Sequence, residues 1–507
     1  MKILFNTCPA LFWDHIGILY DEAIRYSKEG HEVYWVYNNC ELDICTANLT
    51  HNSFSCETCH KWARKGLKLL PQSVRLINIK DYWDNSKTFQ FDYASAQEIK
   101  KITYKGVNVG YAVMASYISM TRNLSPLINS ESKPYFDKLI ATSCRLTDAL
   151  EKIIEEIKPD RVCFFNSRFF EWRPPYDLAR NRGIETISYE RTNDVGQLNC
   201  KQYFVNATPH NILNLQKISD EMWENAILSE EEKVEIGKSF FERRRNSLPA
   251  GDKVYTGGQL KGQLPVDWDS TKKNIVIFNS SEDEYASIGD EYDALSLFPT
   301  QYKGIRYIAE LLENKEDYHL YLRIHPNLSR INYRYHTELL KLSDEYKNIT
   351  VIAGKDTVSS YDLMDAADKV VVFGSTIGME AAYWGKPVIL LAGAAYYYTD
   401  LCYIPKLKEE LISLLQKKLT PKGNYDAIKW GFYVMYRNTD DRYQYVDFDY
   451  ENRKILGVEY RDIHYLKLFG SSKLYGIYTK LCHMIRKRIR KPVVLSMPYE
   501  EDMNAAL

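Results

Sequence analysis

Two short segments carry most of the chemistry in this chain. Arg323-Ile-His325-Pro326 closes an apolar run, and Gly374-Ser375-Thr376-Ile-Gly378-Met-Glu380 follows another further on. An imidazole just past a strand can donate a hydrogen bond to a phosphate oxygen, and Arg323 adds a planar fork of donors suited to phosphate or carboxylate. In the second segment Val370–Phe373 feeds a turn that opens a helix. The amides of such a first turn, with the helix dipole, make a ready anion site. Ser375 and Thr376 add hydroxyls, Gly378 lets a ligand approach the backbone, and Glu380 can accept hydrogen bonds from both ribose hydroxyls. Taken singly these parts are ordinary, since a His-Pro after a strand makes a turn and Ser-Thr before a helix makes an N-cap. In this order, at strand ends, they describe a nucleotide, with phosphate at the helix start and ribose at the acid.

A third loop, Asn279 to Glu284, belongs with them. Ser280 and Ser281 can bind phosphate or sugar hydroxyls and Asp283 or Glu284 can hold the same ligand, although a polar loop opening a helix would read the same way. A transfer reaction also needs a base over the acceptor hydroxyl. The first half of the chain offers Asp14 and His15 after its first strand, Arg168 and Glu171 after Phe164-Phe-Asn-Ser, and Glu190 after a strand ending at Tyr189. Strand-end position favours Glu190 as the catalytic partner of His325. An ion pair of Glu190 with Arg191 or Arg168 is the structural alternative.

These residues need strands to present them. Ile3–Phe5, Glu32–Tyr37, Arg161–Asn166 and Glu185–Tyr189 read as strands, separated by helices at Ile16–Glu29, Ser132–Ile157 and Tyr176–Arg182. Residues 38–135 give no clear pattern. Beyond a polar, Gly- and Pro-rich stretch from Pro249 to Thr271, the alternation restarts. Strands are expected near 274–279, 319–324, 349–352, 369–373 and 388–391, with helices between them. Alternation of this kind builds parallel, doubly wound α/β sheets, which bind ligands beyond the carboxyl ends of their strands. The expected division is an N-terminal Rossmann-like domain at 1–255, a linker at 256–272, a C-terminal Rossmann-like domain at 273–450, and a helical segment at 451–507 that returns to the first domain. Charged residues at 215–250, including Arg243 to Arg245, read as a solvated helical face.

Arg323-Ile-His-Pro and Ser375-Thr-Ile-Gly-Met-Glu-Ala, with Val358-Ser-Ser-Tyr-Asp-Leu-Met and Gly385-Lys-Pro-Val-Ile, resemble the C-terminal half of bacterial capsule polysaccharide biosynthesis proteins, over residues 274–415. That group is similar to the Kdo transferases of capsule assembly and, more distantly, to bacterial sialyltransferases and CDP-glycerol glycerophosphotransferases. The resemblance implies a GT-B fold, two Rossmann-like domains facing across a cleft, with the nucleotide held by the C-terminal one. It makes His325 a ligand of the donor phosphate and Ser375, Thr376 and Glu380 donor-site residues, and it implies catalysis without a metal or cofactor. The expected activity is transfer of a sugar from a CMP-, UDP-, CDP- or GDP-linked donor to a cell-surface glycan or its lipid-linked precursor. A nucleotide-sugar epimerase, a CDP-polyol phosphotransferase and a non-catalytic glycan- or nucleotide-binding protein are the rival readings.

A net charge of -1 over 507 residues argues against a surface built to neutralise nucleic acid. No apolar run reaches the length of a membrane span and no signal peptide is evident, so a cytoplasmic location is expected. Tyr475 to Lys491 is amphipathic and strongly basic, suited to an anionic membrane surface. Cys40, Cys45, Cys56 and Cys59 fall in one early loop. Four thiolates can close a zinc tetrahedron, but the first pair is spaced more widely than in usual zinc sites, so reduced, buried thiols are the favoured reading.

Overall fold

The computed structural model describes residues 1–38, 42–49, 53–191, 201–251, 254–329, 333–437, 443–449, 454–459 and 497. They group into two compact α/β units. The first contains β1 (Lys2–Asn6), β2 (Glu32–Tyr37), β3 (Arg75–Asn78), β4 (Arg161–Phe165), β5 (Glu185–Arg191) and β6 (Lys201–Val205). The sheet order is β3-β2-β1-β4-β5-β6, parallel except for β6, which runs antiparallel to β5. The second contains β7 (Lys273–Phe278), β8 (Tyr318–Arg323), β9 (Ile349–Ile352), β10 (Lys369–Val372) and β11 (Val388–Leu390). Its order, β9-β8-β7-β10-β11, is parallel throughout. Both sheets share the doubly wound plan. The chain steps outward from a central strand, then crosses to that strand's other side, which leaves a switch point between β1 and β4 and another between β7 and β10. Two Rossmann-like units in one chain are the make-up of the GT-B fold.

The strands read clearly because helices cover both faces of a parallel sheet, so central strands become continuous apolar runs. Ile3–Phe5, Val162–Phe165, Ile275–Phe278 and Val370–Val372 are all buried. The helix Lys133–Ile157 buries Leu139, Ile140, Leu146, Leu150, Ile153 and Ile154 along one stripe. It starts with Pro134 in its first turn and stops where Lys158 turns left-handed at φ 53°.

The expected division differs at both ends of the second domain: the stretch 256–272 lies within the second unit and not between units, and Gln444 to Val446, expected in the second domain, belong to the first unit. Helices Ile212–Asn225 and Glu230–Arg245, expected in the first domain, belong to the second unit. Glycines explain the attachment. A Cβ on Gly237 would lie 2.3 Å from the Ile428 carbonyl oxygen, and one on Gly431 would lie 2.3 Å from that of Gly237. The helix Glu230–Arg245 therefore meets the helix Tyr425–Tyr436 backbone to backbone.

After the second unit the chain returns to the first. Asp21, fully buried, accepts the backbone amides of Gln444, Tyr445 and Val446 on one oxygen at 3.0, 2.7 and 2.9 Å. Its other oxygen meets the Lys201 ammonium at 2.6 Å. Phe448 fills the space beside Gly17, where a Cβ would lie 2.1 Å from the ring. This part forms short antiparallel strands at Phe448–Asp449, Lys454–Ile455 and Val458–Glu459. Of the expected 451–507 helical segment, Met497 contacts the first unit through Tyr117 and Asn123. The basic stretch Tyr475 to Lys491 lies outside the described residues. Among the described residues no helix is long and apolar enough to cross a membrane.

Candidate functional site

In the second unit a hollow with about 510 Å³ of empty space opens at the strand ends around the switch point. His325, Ser375, Thr376, Glu380, Arg323 and Arg244 all line it. His325 and Ser375 therefore face one small space, which a shared anion requires. The His325 amide donates to Asn279 Oδ1 at 2.7 Å, tying the end of β8 to that of β7. Its Nδ1 accepts the Asn327 amide at 3.2 Å, so a neutral ring carries its proton on Nε2 and is a donor there. Tyr255 packs edge-on against the ring at 4.9 Å and 70°. Gly374, at φ +82°, makes the turn out of β10, and a Cβ there would lie 2.6 Å from the Gly393 oxygen.

Several sequence-assigned roles change. The helix after that turn, Ile377–Tyr383, already uses its Gly378 amide on the Ser375 carbonyl and its Met379 and Glu380 amides on the Thr376 carbonyl. Only the amides ahead of Gly378 precede the first of these bonds. Gly378 serves packing rather than ligand approach, since a Cβ there would lie 2.4 Å from the Tyr396 hydroxyl and 2.7 Å from Val372. Arg323 is buried and spends its terminal nitrogens on the carbonyls of Ala353 and Asp356, the latter at 3.0 Å. Burial pushes its guanidinium down to about 10. Ser280 is a tie between strands, donating to the Phe373 carbonyl at 2.9 Å and accepting from Gln301 at 2.7 Å. Ser281 accepts from Asn327 at 3.3 Å. Asp283 accepts from the Tyr335 hydroxyl at 2.9 Å and does not line the hollow.

Glu380 is buried, and both its oxygens are engaged. Arg244 Nε donates to one at 3.0 Å and the Tyr361 hydroxyl donates to the other. Burial, and after it the Glu380 charge, raise the Tyr361 hydroxyl well above the ordinary tyrosine range. Arg244 corrects the reading of Arg243 to Arg245 as a solvated run, because it is buried. It falls on the helix stripe that carries Gly237 and Phe241, and that spacing was the available signal.

The first unit assembles a second polar cluster where β1 and β5 end. His15 lies between two carboxylates, with Nδ1 2.9 Å from Asp14 and Nε2 3.5 Å from Glu190. Asp14 also meets Arg191 at 2.6 Å. Glu190 further accepts the Asn166 amide group at 2.6 Å and the Arg191 backbone amide at 3.0 Å. Burial would lower the imidazole's pKa, but hydrogen bonds and charge from Asp14 and Glu190 prevail and push it up to about 9. Burial likewise opposes ionisation of Asp14, yet His15 and Arg191 hold it below the usual carboxylate range. Asn166 and Ser167 are both left-handed, at φ 59° and 57°. Asparagine adopts this conformation readily, whereas a serine there is held by its surroundings.

The other acceptor-side residues make hydrogen bonds to other partners. Arg168 donates to Ser119 at 3.0 Å. Glu171 is buried and takes both its hydrogen bonds from Thr46. Burial pushes its carboxyl up to about 7 against those bonds. Glu171, Cys8, Cys45, Cys56 and Cys59 line a mainly apolar cavity with about 930 Å³ of empty space. Cys40 lies outside the described residues, and among those described no group of three or more His, Cys, Asp or Glu is arranged to hold a metal.

An imidazole, two hydroxyl side chains and two arginines thus gather at the switch point of the second unit's doubly wound sheet. Residues 296–411, within that unit, match the family described as capsule polysaccharide biosynthesis protein, so the resemblance read from the motifs is borne out there. No curated protein matches the sequence. Among solved structures the chain is similar to the KpsC β-Kdo 2,4-transferase of Thermosulfurimonas dismutans, at 13% identity and TM-score 0.33, over 53% of this chain and 78% of that one. The KpsC β-Kdo 2,7-transferase of the same organism gives 17% identity and TM-score 0.31, over 56% and 79%. A UDP-GlcNAc 2-epimerase of Methanocaldococcus jannaschii, in complex with UDP-GlcNAc and UDP, gives 12% identity and TM-score 0.27, over 85% and 98%. With TM-scores this low, what the sites do has to be read from their own residues.

Proposed function

We propose that the protein is a glycosyltransferase of capsule-type polysaccharide synthesis, moving a sugar from a nucleotide-sugar donor to a glycan or lipid-linked glycan. The observation that carries this reading is the convergence of His325, Ser375 and Thr376 on one hollow with two arginines, at the switch point of the second sheet. In the reaction the acceptor oxygen bonds to the anomeric carbon as the bond from that carbon to the phosphate oxygen breaks. The electron pair leaves with the nucleotide, whose growing charge the His325 Nε2–H and the hydroxyls of Ser375 and Thr376 stabilise. The acceptor proton passes to Glu190 of the first unit, the carboxylate in contact with Asn166, Arg191 and His15.

The test is a thermal-shift panel of CMP, CDP, UDP and GDP, because a ligand stabilises the fold according to its concentration over its dissociation constant. One nucleotide should raise the melting temperature of the native protein, and His325→Ala should abolish that response. An undiminished shift in a folded His325→Ala variant would remove His325 from the site and the reading with it.

A further inference from the structure

Two guanidinium groups and one carboxylate share the hollow of the second unit. Arg323 is 1% exposed, its terminal nitrogens hold backbone carbonyls, and its buried Nε has no partner among the described residues. Burying that cation is costly even with the Asp356 charge acting on it, and an anion beside it lowers the cost. Arg244 enters from the helix Glu230–Arg245 and meets Glu380 at 3.0 Å. The Tyr361 hydroxyl occupies the other Glu380 oxygen. Glu380 therefore has a donor on each oxygen before any ribose arrives, and what it fixes is the direction of the Arg244 guanidinium. Among the residues lining the hollow, two guanidiniums stand beside one carboxylate.

From this arrangement we infer that Arg244 is a ligand of the donor phosphate and that Glu380, with Tyr361, is its positioning residue rather than the ribose acceptor. The inference rests on the nucleotide reading above and goes beyond it by exchanging the roles of two residues. A planar guanidinium suits phosphate because its fork presents paired donors at the spacing of two oxygens. Holding that fork by a buried acid in advance reduces the ordering needed when the ligand binds.

The two roles separate when the probe has no ribose. Isothermal titration with inorganic pyrophosphate is set beside the nucleotide that responds among CMP, CDP, UDP and GDP. Arg244→Gln should weaken both ligands by roughly tenfold or more, the scale of a hydrogen bond to a charged group. Glu380→Gln should weaken both by one common factor, since it acts on both through Arg244. If Glu380→Gln weakens the nucleotide and leaves pyrophosphate unchanged, Glu380 holds the ribose and the inference falls. It also falls if a folded Arg244→Gln variant binds both ligands as the native protein does. Should Arg244→Gln not fold, the Glu380→Gln comparison decides alone. If the native protein binds none of these ligands, the nucleotide reading itself is lost. If His325→Ala abolishes binding while Arg244→Gln and Glu380→Gln bind normally, only the present inference is lost.

Discussion

His15 gives the most direct test of the first unit's cluster. Its pKa stands at about 9 against an ordinary 6.5, because Asp14 and Glu190 bracket the ring. A displacement of that size corresponds to roughly 3 kcal/mol of interaction favouring the imidazolium. We take it as an upper figure, since 24% of the side chain meets solvent. The folded value lies above the unfolded one, so the contribution is complete below about pH 6.5 and is lost as pH rises through about 9. His15→Gln should therefore be less stable than the native protein by up to that amount at low pH, and the difference should close toward pH 10. Urea unfolding at several pH values measures the difference. A carbon-labelled histidine titration, with the His15 resonance identified by its loss in His15→Gln, measures the pKa directly. A His15 resonance titrating near 6.5, or a stability difference that stays constant through pH 9, would refute the bracketed arrangement.

Two further outcomes are expected. The Glu171 carboxyl, pushed up to about 7, binds more protons folded than unfolded, so its contribution to stability falls as pH rises between about 4.5 and 7. Glu171→Gln should flatten that part of the stability profile in chemical denaturation, and an unchanged profile would count against the buried acid. Gly17→Ala puts a methyl 2.1 Å from the Phe448 ring, which should displace the returning strand and cost about 1–3 kcal/mol, as overpacking does. Phe448→Ala in the same chain should recover part of that loss in urea unfolding, and no recovery would show that the clash lies elsewhere.

Much of the fold was legible in the sequence because parallel strands covered on both faces leave unbroken apolar runs. β4, β7 and β10 were found on that signal within a residue or two. Residues 38–135 resisted for the opposite reason. The helix Gly110–Thr121 is buried from Gly110 to Ser119, so it has no polar face to mark a helical period. At the sites, residue type and strand-end position single out His325, Ser375 and Glu380, which line one hollow, and offer Asp14, His15 and Glu190 as separate candidates, which the structure gathers into one cluster. What sequence could not give was the direction of each polar group. Arg323 looks like a phosphate fork until the carbonyls of Ala353 and Asp356 are seen to occupy it. Arg244 looks like one of three solvated charges, and only its angle on the helix separates it from Arg243 and Arg245.

The two clusters differ in charge in a way that fits the two halves of the proposed reaction. Among the residues lining the hollow of the second unit, Arg244 and Arg323 stand beside Glu380, which suits the negative charge that the proposed reaction puts on a departing phosphate. In the first unit Asp14 and Glu190 are matched by Arg191 and a protonated His15. A protonated imidazole cannot remove a proton, which leaves the carboxylates, and Asp14 is held on both sides by His15 and Arg191. In the proposed reaction Glu190 is the group to receive the acceptor's proton, with Asn166, the Arg191 amide and His15 in contact with it. Of these three contacts that of His15, at 3.5 Å against 2.6 Å and 3.0 Å, is the longest, and a carboxylate has lone pairs enough to accept an incoming hydroxyl beside them.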